Sequence, residues 1–171
     1  MRVFDYPACT HLDAALQAQL DKRKHFNVYR MLMHTTNMAP AFYEMSDAIR
    51  HHSSVTDALK ELAIIRTGWR YQARYEIHHH TRLALQAGLP QAVVDVALSA
   101  QDGAQLPAPY REVLWLTDTI LDKNVLDADA VQRARASLTN NQILDLIFTV
   151  GFYQTVCCFL NTTDVDIEAG I

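Results

Sequence analysis

Residues 61–89 read ELAIIRTGWRYQARYEIHHHTRLALQAGL, and this stretch predicts two consecutive helices. Apolar residues recur at helical spacing on both sides of Thr67 and Gly68, where we expect the first helix to break. Gly88 followed by Pro90 is typical of the end of a helix. The stretch therefore predicts a helical hairpin around which the rest of the chain is organised.

The same stretch holds the densest cluster of proton-transfer side chains in the sequence. Helical neighbours lie three and four residues apart, so Glu76 shares a face with His79 and His80, while His78 points to a polar side. Apolar neighbours should carry His80 partly out of water, where its pKa can be tuned. Glu61 lies on the first helix beside its apolar stripe. From spacing alone, an ordinary helix pair between Glu76 and His80, worth a few tenths of a kcal/mol, is the simpler interpretation.

The composition predicts one all-α domain. Half of the 171 residues are hydrophobic, and only five are glycine and five proline, which favours helices over many short strands. The turn-rich segment 101–109, QDGAQLPAP, is too short to be an interdomain linker. We therefore expect residues 1–171 to form a single-domain helical bundle.

Helix caps are predicted at several polar residues outside the histidine-rich region. Thr10 or Asp13 is expected to cap a first helix, and Asp127 or Asp129 a late one. Ser54, with an acidic residue three positions later, resembles a capping box and is expected to start the first helix of the hairpin. These signals, with helical periodicity elsewhere, predict helices along the whole chain.

Segment 140–160 is hydrophobic on most faces, so we expect it at the centre of the bundle or at a subunit interface. Five residues interrupt its apolar character, which argues against a membrane span: Asn141, Gln142, Asp145, Gly151 and Gln154.

The net charge and the cysteine content limit the classes of protein to which this chain can belong. A net charge of -4 gives no electrostatic footprint for nucleic acid, and the N-terminal residues lack an apolar signal core. We therefore expect a cytoplasmic protein with no nucleic-acid or membrane partner. Cys9 and the adjacent Cys157 and Cys158 form neither a CxxC motif nor a disulfide framework.

Four segments in order carry a family resemblance: ELAIIRTG at 61–68, YEIHHHTRLALQAGLP at 75–90, VGFYQTV at 150–156 and VDIE at 165–168. The pattern resembles the carboxymuconolactone decarboxylase family of the alkylhydroperoxidase D-like (AhpD-like) superfamily, over roughly residues 27–168. The resemblance implies an all-α fold of helical hairpins. It also implies a homo-oligomer, a trimer or hexamer, with active sites near subunit contacts.

The peroxidase branch of that superfamily uses a CxxC pair, a histidine four residues later and a glutamate on the preceding helix. The resemblance puts Glu61 and His80 at the glutamate and histidine positions, but Ala73 and Glu76 at the cysteine positions. Disulfide chemistry needs an attacking and a resolving sulfur, so it is not expected here. The decarboxylase branch typically reads Tyr-Glu-Trp-x-His-His, and residues 75–80 differ only by isoleucine in place of tryptophan.

The resemblance therefore predicts a cofactor-free carboxy-lyase that moves protons on a small carboxylated lactone or carbonyl compound. His80 would transfer the proton, with Glu61 and Glu76 as its catalytic partners. Arg66 would hold the substrate carboxylate and Tyr75 would donate to a developing oxyanion. The full set of expected substrate-binding residues is His79, Tyr75, Arg66 and Tyr153. No cofactor and no metal is expected.

Three alternative interpretations stay open at this point. The first is a non-catalytic oligomeric binding or scaffold protein of the same fold, whose pocket would have collapsed. The second is an alkylhydroperoxidase-like antioxidant protein. The third is a metal site, since carboxylate and imidazole at helical spacing suit zinc or iron, built from Glu76, His79, His80 and Glu61.

Overall fold

The computed structural model describes residues 3–169 and confirms the predicted all-α bundle. Within these residues the secondary structure consists of α-helices, with no strand. The helices in chain order are α1 (Ala14–Lys22), α2 (Asn27–Leu32), α3 (Ala39–His52), α4 (Asp57–Arg70), α5 (Arg74–Gln86), α6 (Gln91–Ala97), α7 (Tyr110–Lys123), α8 (Ala128–Ala134) and α9 (Asn140–Thr163).

Helix α4 is the central element of the bundle, because it packs against α5, α6, α7 and α9. Its residues from Leu59 to Gly68 are all buried, including the charged ones. An amphipathic helix usually buries only one face, so α4 must find partners inside the protein for every polar side chain it carries. The candidate site residues are among those side chains.

The predicted break at Thr67 and Gly68 is wrong. Helix α4 continues to Arg70, and the chain turns at Gln72, which has a positive φ of 53°. The Thr67 hydroxyl donates to the Ala63 carbonyl at 2.8 Å and so stays within the helix. Gly68 instead permits close packing: a Cβ there would lie 3.3 Å from the Cβ of Glu76. The glycine therefore brings α5 close to α4.

The predicted caps are partly confirmed. Asp13 caps α1 and Asp127 caps α8, each accepting a backbone N–H at 2.8 Å. Ser54 is not a cap, since α4 begins three residues later and the N–H and hydroxyl of Ser54 donate to Asp145 on α9. Thr139, which is not among the caps predicted from the sequence, caps α9 in a reciprocal capping box with its N3 glutamine.

Helix α9 contacts α3, α4 and α7. By length and composition it could cross a membrane, but the core helix of a soluble protein has the same properties. One of its faces is left uncovered, and it carries Leu144, Ile147 and Phe148, with Leu144 55% and Phe148 61% exposed.

Candidate active site

His80 lies between two carboxylates, one from each helix of the central hairpin. Its Nδ1 is 2.7 Å from Glu61 Oε2, and its Nε2 is 3.1 Å from Glu76 Oε2. Both glutamates are buried, with Glu61 8% and Glu76 4% exposed. The close approach of α5 to α4 thus brings together all three residues expected to be catalytic.

The two carboxylates control the charge of the ring. Burial lowers the pKa of His80, but the negative charges of Glu76 and Glu61 and the hydrogen bond to Glu61 outweigh this effect and raise the pKa to about 10. At neutral pH the ring is therefore an imidazolium. It begins any reaction as a proton donor.

Glu76 is less well satisfied than Glu61. The contact of its Oε2 with His80 has the distance of an ion pair but not the direction of a hydrogen bond, and this buried oxygen accepts no hydrogen bond from residues 3–169. Leaving a buried polar atom unsatisfied costs roughly 1–3 kcal/mol. The Nε2–H of His80 is correspondingly not committed to a hydrogen bond.

A second histidine–carboxylate pair lies beside the first. His79 Nε2 is 2.7 Å from Oε2 of Glu168, a residue that follows α9. Oε1 of Glu168 accepts hydrogen bonds from the Tyr75 hydroxyl at 2.7 Å and from the Asn27 N–H at 2.6 Å. Glu168 is not among the site residues predicted from the sequence; its only signal there is the closing VDIE of the family pattern.

Burial sets the ionisation of the side chains around this second pair. Burial lowers the pKa of His79 and outweighs the opposing charge of Glu168. Burial and the hydrogen bond to Glu168 raise the pKa of Tyr75 well above its usual value. Tyr153 meets His80 edge to face with ring centroids 5.2 Å apart, and burial raises its pKa as well. Both tyrosines are therefore neutral phenols at neutral pH.

Arg66 does not have the free guanidinium that its predicted role in binding a substrate carboxylate requires. Its five N–H groups donate to the Asp118 carboxylate, at 2.8 Å for each oxygen, and to the carbonyls of Ala97, Ser99 and Gln101. No donor is left for a ligand. Arg66 is a structural residue that ties α4 to α7 and to the loop after α6, and its expected role in substrate binding is wrong.

A cavity of about 370 Å³ opens beside the two histidine pairs. Asp47 is the only acidic residue in its wall within the described chain, and it is paired with Lys22 and Arg23. Three further cations in the wall have no ion-pair partner among residues 3–169: Lys24, Arg50 and Arg82. The remaining lining residues are Phe26, Val28, Tyr29, His51, Tyr75, His79, His80 and Leu83. The cavity is therefore electropositive although the protein carries a net negative charge.

The metal-site interpretation finds no geometric support. Among residues 3–169, no group of three or more histidine, cysteine, aspartate or glutamate side chains is arranged to hold a metal ion. Carboxylates engage both ring nitrogens of His80, so the ring has no free lone pair to offer.

Comparison with solved structures identifies the fold. An alkylhydroperoxidase AhpD core, an uncharacterized peroxidase-related protein from Ralstonia eutropha JMP134, is similar with a TM-score of 0.85 and 17% identity, covering 97% of this chain and 92% of that one. An uncharacterized peroxidase-related protein from Silicibacter sp. TM1040 has a TM-score of 0.83 and 14% identity, covering 98% and 92%. A protein of unknown function from Agrobacterium tumefaciens has a TM-score of 0.71 and 13% identity, covering 81% and 95%.

Comparison of sequences shows which family the central region is similar to. The model of the carboxymuconolactone decarboxylase family matches residues 37–114, which include Glu61, Glu76, His79 and His80. No curated protein matches the sequence. The resemblance noted from the sequence is therefore confirmed: residues 37–114 match the model of the carboxymuconolactone decarboxylase family, and the chain has the AhpD-like fold.

Proposed function

We propose that the protein is an acid–base enzyme that decarboxylates a small anionic carbonyl compound, such as a carboxylated lactone. The observation that carries the proposal is His80, held as an imidazolium between two buried carboxylates at the wall of an electropositive cavity. Strongly shifted pKa values in a cleft are typical of functional sites.

The cavity wall supplies the carboxylate-binding groups. Lys24, Arg50 and Arg82 take the role first expected of Arg66, because they line the cavity and have no ion-pair partner among the described residues. Cations in a cleft raise the local concentration of anionic substrates. A substrate with one or more carboxylates therefore fits this wall better than a neutral or cationic one.

His80 performs the proton transfer. When the carbon–carbon bond to the carboxylate breaks, carbon dioxide leaves and the electron pair remains on carbon as an enolate. The imidazolium then gives its Nε2 proton to that carbon and is reprotonated from solvent. Glu61 holds the ring through Nδ1, and Glu76 keeps it charged. The net change is the replacement of carboxylate by hydrogen, and no oxidant is needed.

Two observations weigh against the alternatives. A scaffold protein that had lost its activity would be expected to have a collapsed pocket, whereas the cavity beside His80 is open. An antioxidant function like that of the peroxidase branch would need a reactive thiolate near His80. Ala73 and Glu76 provide none, and burial raises the pKa of Cys157, which keeps it a thiol. We expect no thiol-dependent reduction of organic peroxides.

The test is a screen of carboxylated lactones and β-keto acids for release of carbon dioxide. His80→Ala should lower the rate by about 10² to 10⁴, the usual contribution of general acid–base catalysis. The matched control is His78→Ala, which removes an exposed neighbouring imidazole and should retain activity. Equal turnover by wild type and His80→Ala would reject the proposal.

We also propose that the protein is a homo-oligomer that uses the uncovered face of α9. Leu144, Ile147 and Phe148 form an apolar strip on that face, and such strips are typical of subunit contacts. Light scattering at micromolar concentration should give a trimer or hexamer, and Phe148→Glu should weaken the assembly. A monomeric wild-type protein would contradict this proposal.

The small-molecule substrate and the cytoplasmic location expected from the sequence stay predictions.

A further inference from the structure

We propose that His79 is a second proton-transfer residue of the same cavity, with Glu168 holding its Nε2–H so that Nδ1 is the proton acceptor. This inference rests on the proposed function, which gives the cavity an acid–base reaction. It assigns the opposite task to the residue next to His80: His80 gives a proton and His79 takes one.

The hydrogen bonds of Glu168 fix the tautomer of His79. An ionised carboxylate can only accept hydrogen bonds, so the nitrogen 2.7 Å from Oε2 must carry the hydrogen. In a neutral imidazole the other nitrogen then has the lone pair. The second oxygen of Glu168 is anchored by Asn27 and Tyr75, which leaves the carboxylate little freedom to turn away.

The surroundings of His79 also favour the neutral ring. Its carboxylate shares its negative charge with two other donors, whereas His80 has two carboxylates beside it. The rings of Phe26 and Tyr75 pack on His79, with centroids 5.5 and 4.4 Å away. The charged or titratable groups that face it are Glu168 after α9, Tyr75, His78 and His80 on α5, and the cavity cations. Burial lowers the pKa of His79, and the neighbouring histidines lower it further.

Two adjacent histidines in opposite protonation states suit one substrate class. A β,γ-unsaturated carbonyl compound with an acidic C–H would lose that proton to Nδ1 of His79, and the electron pair would form a dienolate. The His80 imidazolium would then protonate a different carbon, so that the double bond moves. The proton gained by His79 and the one lost by His80 are exchanged with solvent afterwards. Pairs of titratable groups whose pKa values are pushed apart are the usual mark of such acid and base assignments.

The experiment is a nitrogen-15 NMR titration of the histidine rings in the full chain without substrate, with signals assigned by single substitutions. At neutral pH we expect His80 with both ring nitrogens protonated and His79 neutral with hydrogen on Nε2. A His79 imidazolium, or a His79 ring with hydrogen on Nδ1, would overturn the inference. A neutral His80 would instead remove the basis of the proposed function, so the two failures are distinguishable.

Glu168→Gln tests whether this residue positions the ring. The glutamine carbonyl can still accept from Asn27 and Tyr75, but its amide must donate to His79, which moves the ring hydrogen from Nε2 to Nδ1. We expect this change of tautomer while the His80 signals stay as in wild type. The matched control is Glu61→Gln, which should alter the His80 signals and leave the His79 tautomer unchanged. An unaltered His79 tautomer in Glu168→Gln would refute the positioning role.

Discussion

Helix α4 carries two buried ionic clusters five residues apart, and they differ in how completely their hydrogen bonds are satisfied. Every N–H of Arg66 has an acceptor, including both oxygens of Asp118. The cluster of Glu61, His80 and Glu76 leaves one buried carboxylate oxygen without a hydrogen bond. The first cluster faces α7 and the loop after α6, and the second adjoins a cavity.

This difference separates a charge that holds the fold from charges that are available for chemistry. Buried ion pairs are stable only when geometry and additional hydrogen bonds compensate for desolvation, as they do around Arg66. A cluster that stays incompletely satisfied costs stability, and such local conflicts are expected at functional sites. Substitutions in the two clusters should therefore change the free energy of unfolding by different amounts.

The largest effect is expected at the satisfied cluster. Asp118→Ala leaves the buried guanidinium of Arg66 without its carboxylate, so it should lower the free energy of unfolding by about 3 to 5 kcal/mol. Urea denaturation of wild type and variant measures this loss of unfolding free energy. The matched control is Asp122→Ala on the same helix, which removes only the ion pair with the partly exposed Arg70 and should cost less than about 1 kcal/mol. Similar losses in both variants would show that Arg66 is not a structural charge.

The second prediction concerns the pH dependence of the other cluster. Because the folded protein raises the pKa of His80 from 6.5 to about 10, its stabilising contribution is fully present below about pH 6.5 and is lost as the pH rises toward about 10. The difference in unfolding free energy between wild type and His80→Gln isolates this contribution. It should fall by up to about 1.4 kcal/mol per pH unit across that window. A difference in unfolding free energy that does not change with pH would mean that the carboxylates do not raise the pKa of His80.

The smallest effect is expected at the unsatisfied carboxylate. Glu76→Gln keeps the shape of the side chain and removes a buried charge that accepts no hydrogen bond, while His80 retains Glu61. We expect a change within about 1 kcal/mol, because losing the ion pair is offset by easier burial of the amide. Asp118→Asn provides the comparison and should cost clearly more. Equal losses would show that the two clusters are equally important for the fold.

Much of the architecture could be predicted from the sequence because it follows from local patterns. Asp13 and Asp127 cap helices through their own short side chains, and the spacing of Glu76 and His80 puts both on one face of a helix. The family resemblance put Glu61 and His80 at the glutamate and histidine positions of one site, and their hydrogen bond agrees with that assignment.

The remaining features depend on partners distant in the chain. Arg66 has the same sequence signature as a ligand-binding arginine, and only the positions of Asp118 and of three backbone carbonyls distinguish the two roles. A glycine inside a helical sequence pattern predicts a helix break, yet Gly68 lies within α4 and permits the close packing of α5. Glu168 reaches His79 across 89 residues, a distance at which periodicity gives no information.

The separation of these contacts along the chain has a consequence for the order in which the site forms during folding. His80 and Glu61 are 19 residues apart within one hairpin, whereas 89 residues separate His79 from Glu168. Closing the longer loop costs about 1.4 kcal/mol more in chain entropy, since the cost grows with the logarithm of loop length. We therefore expect His80 to hold its proton early in folding, as soon as the hairpin forms. Nε2 of His79 meets the Glu168 carboxylate only later, after α9 has docked and the segment that follows it has packed over α2.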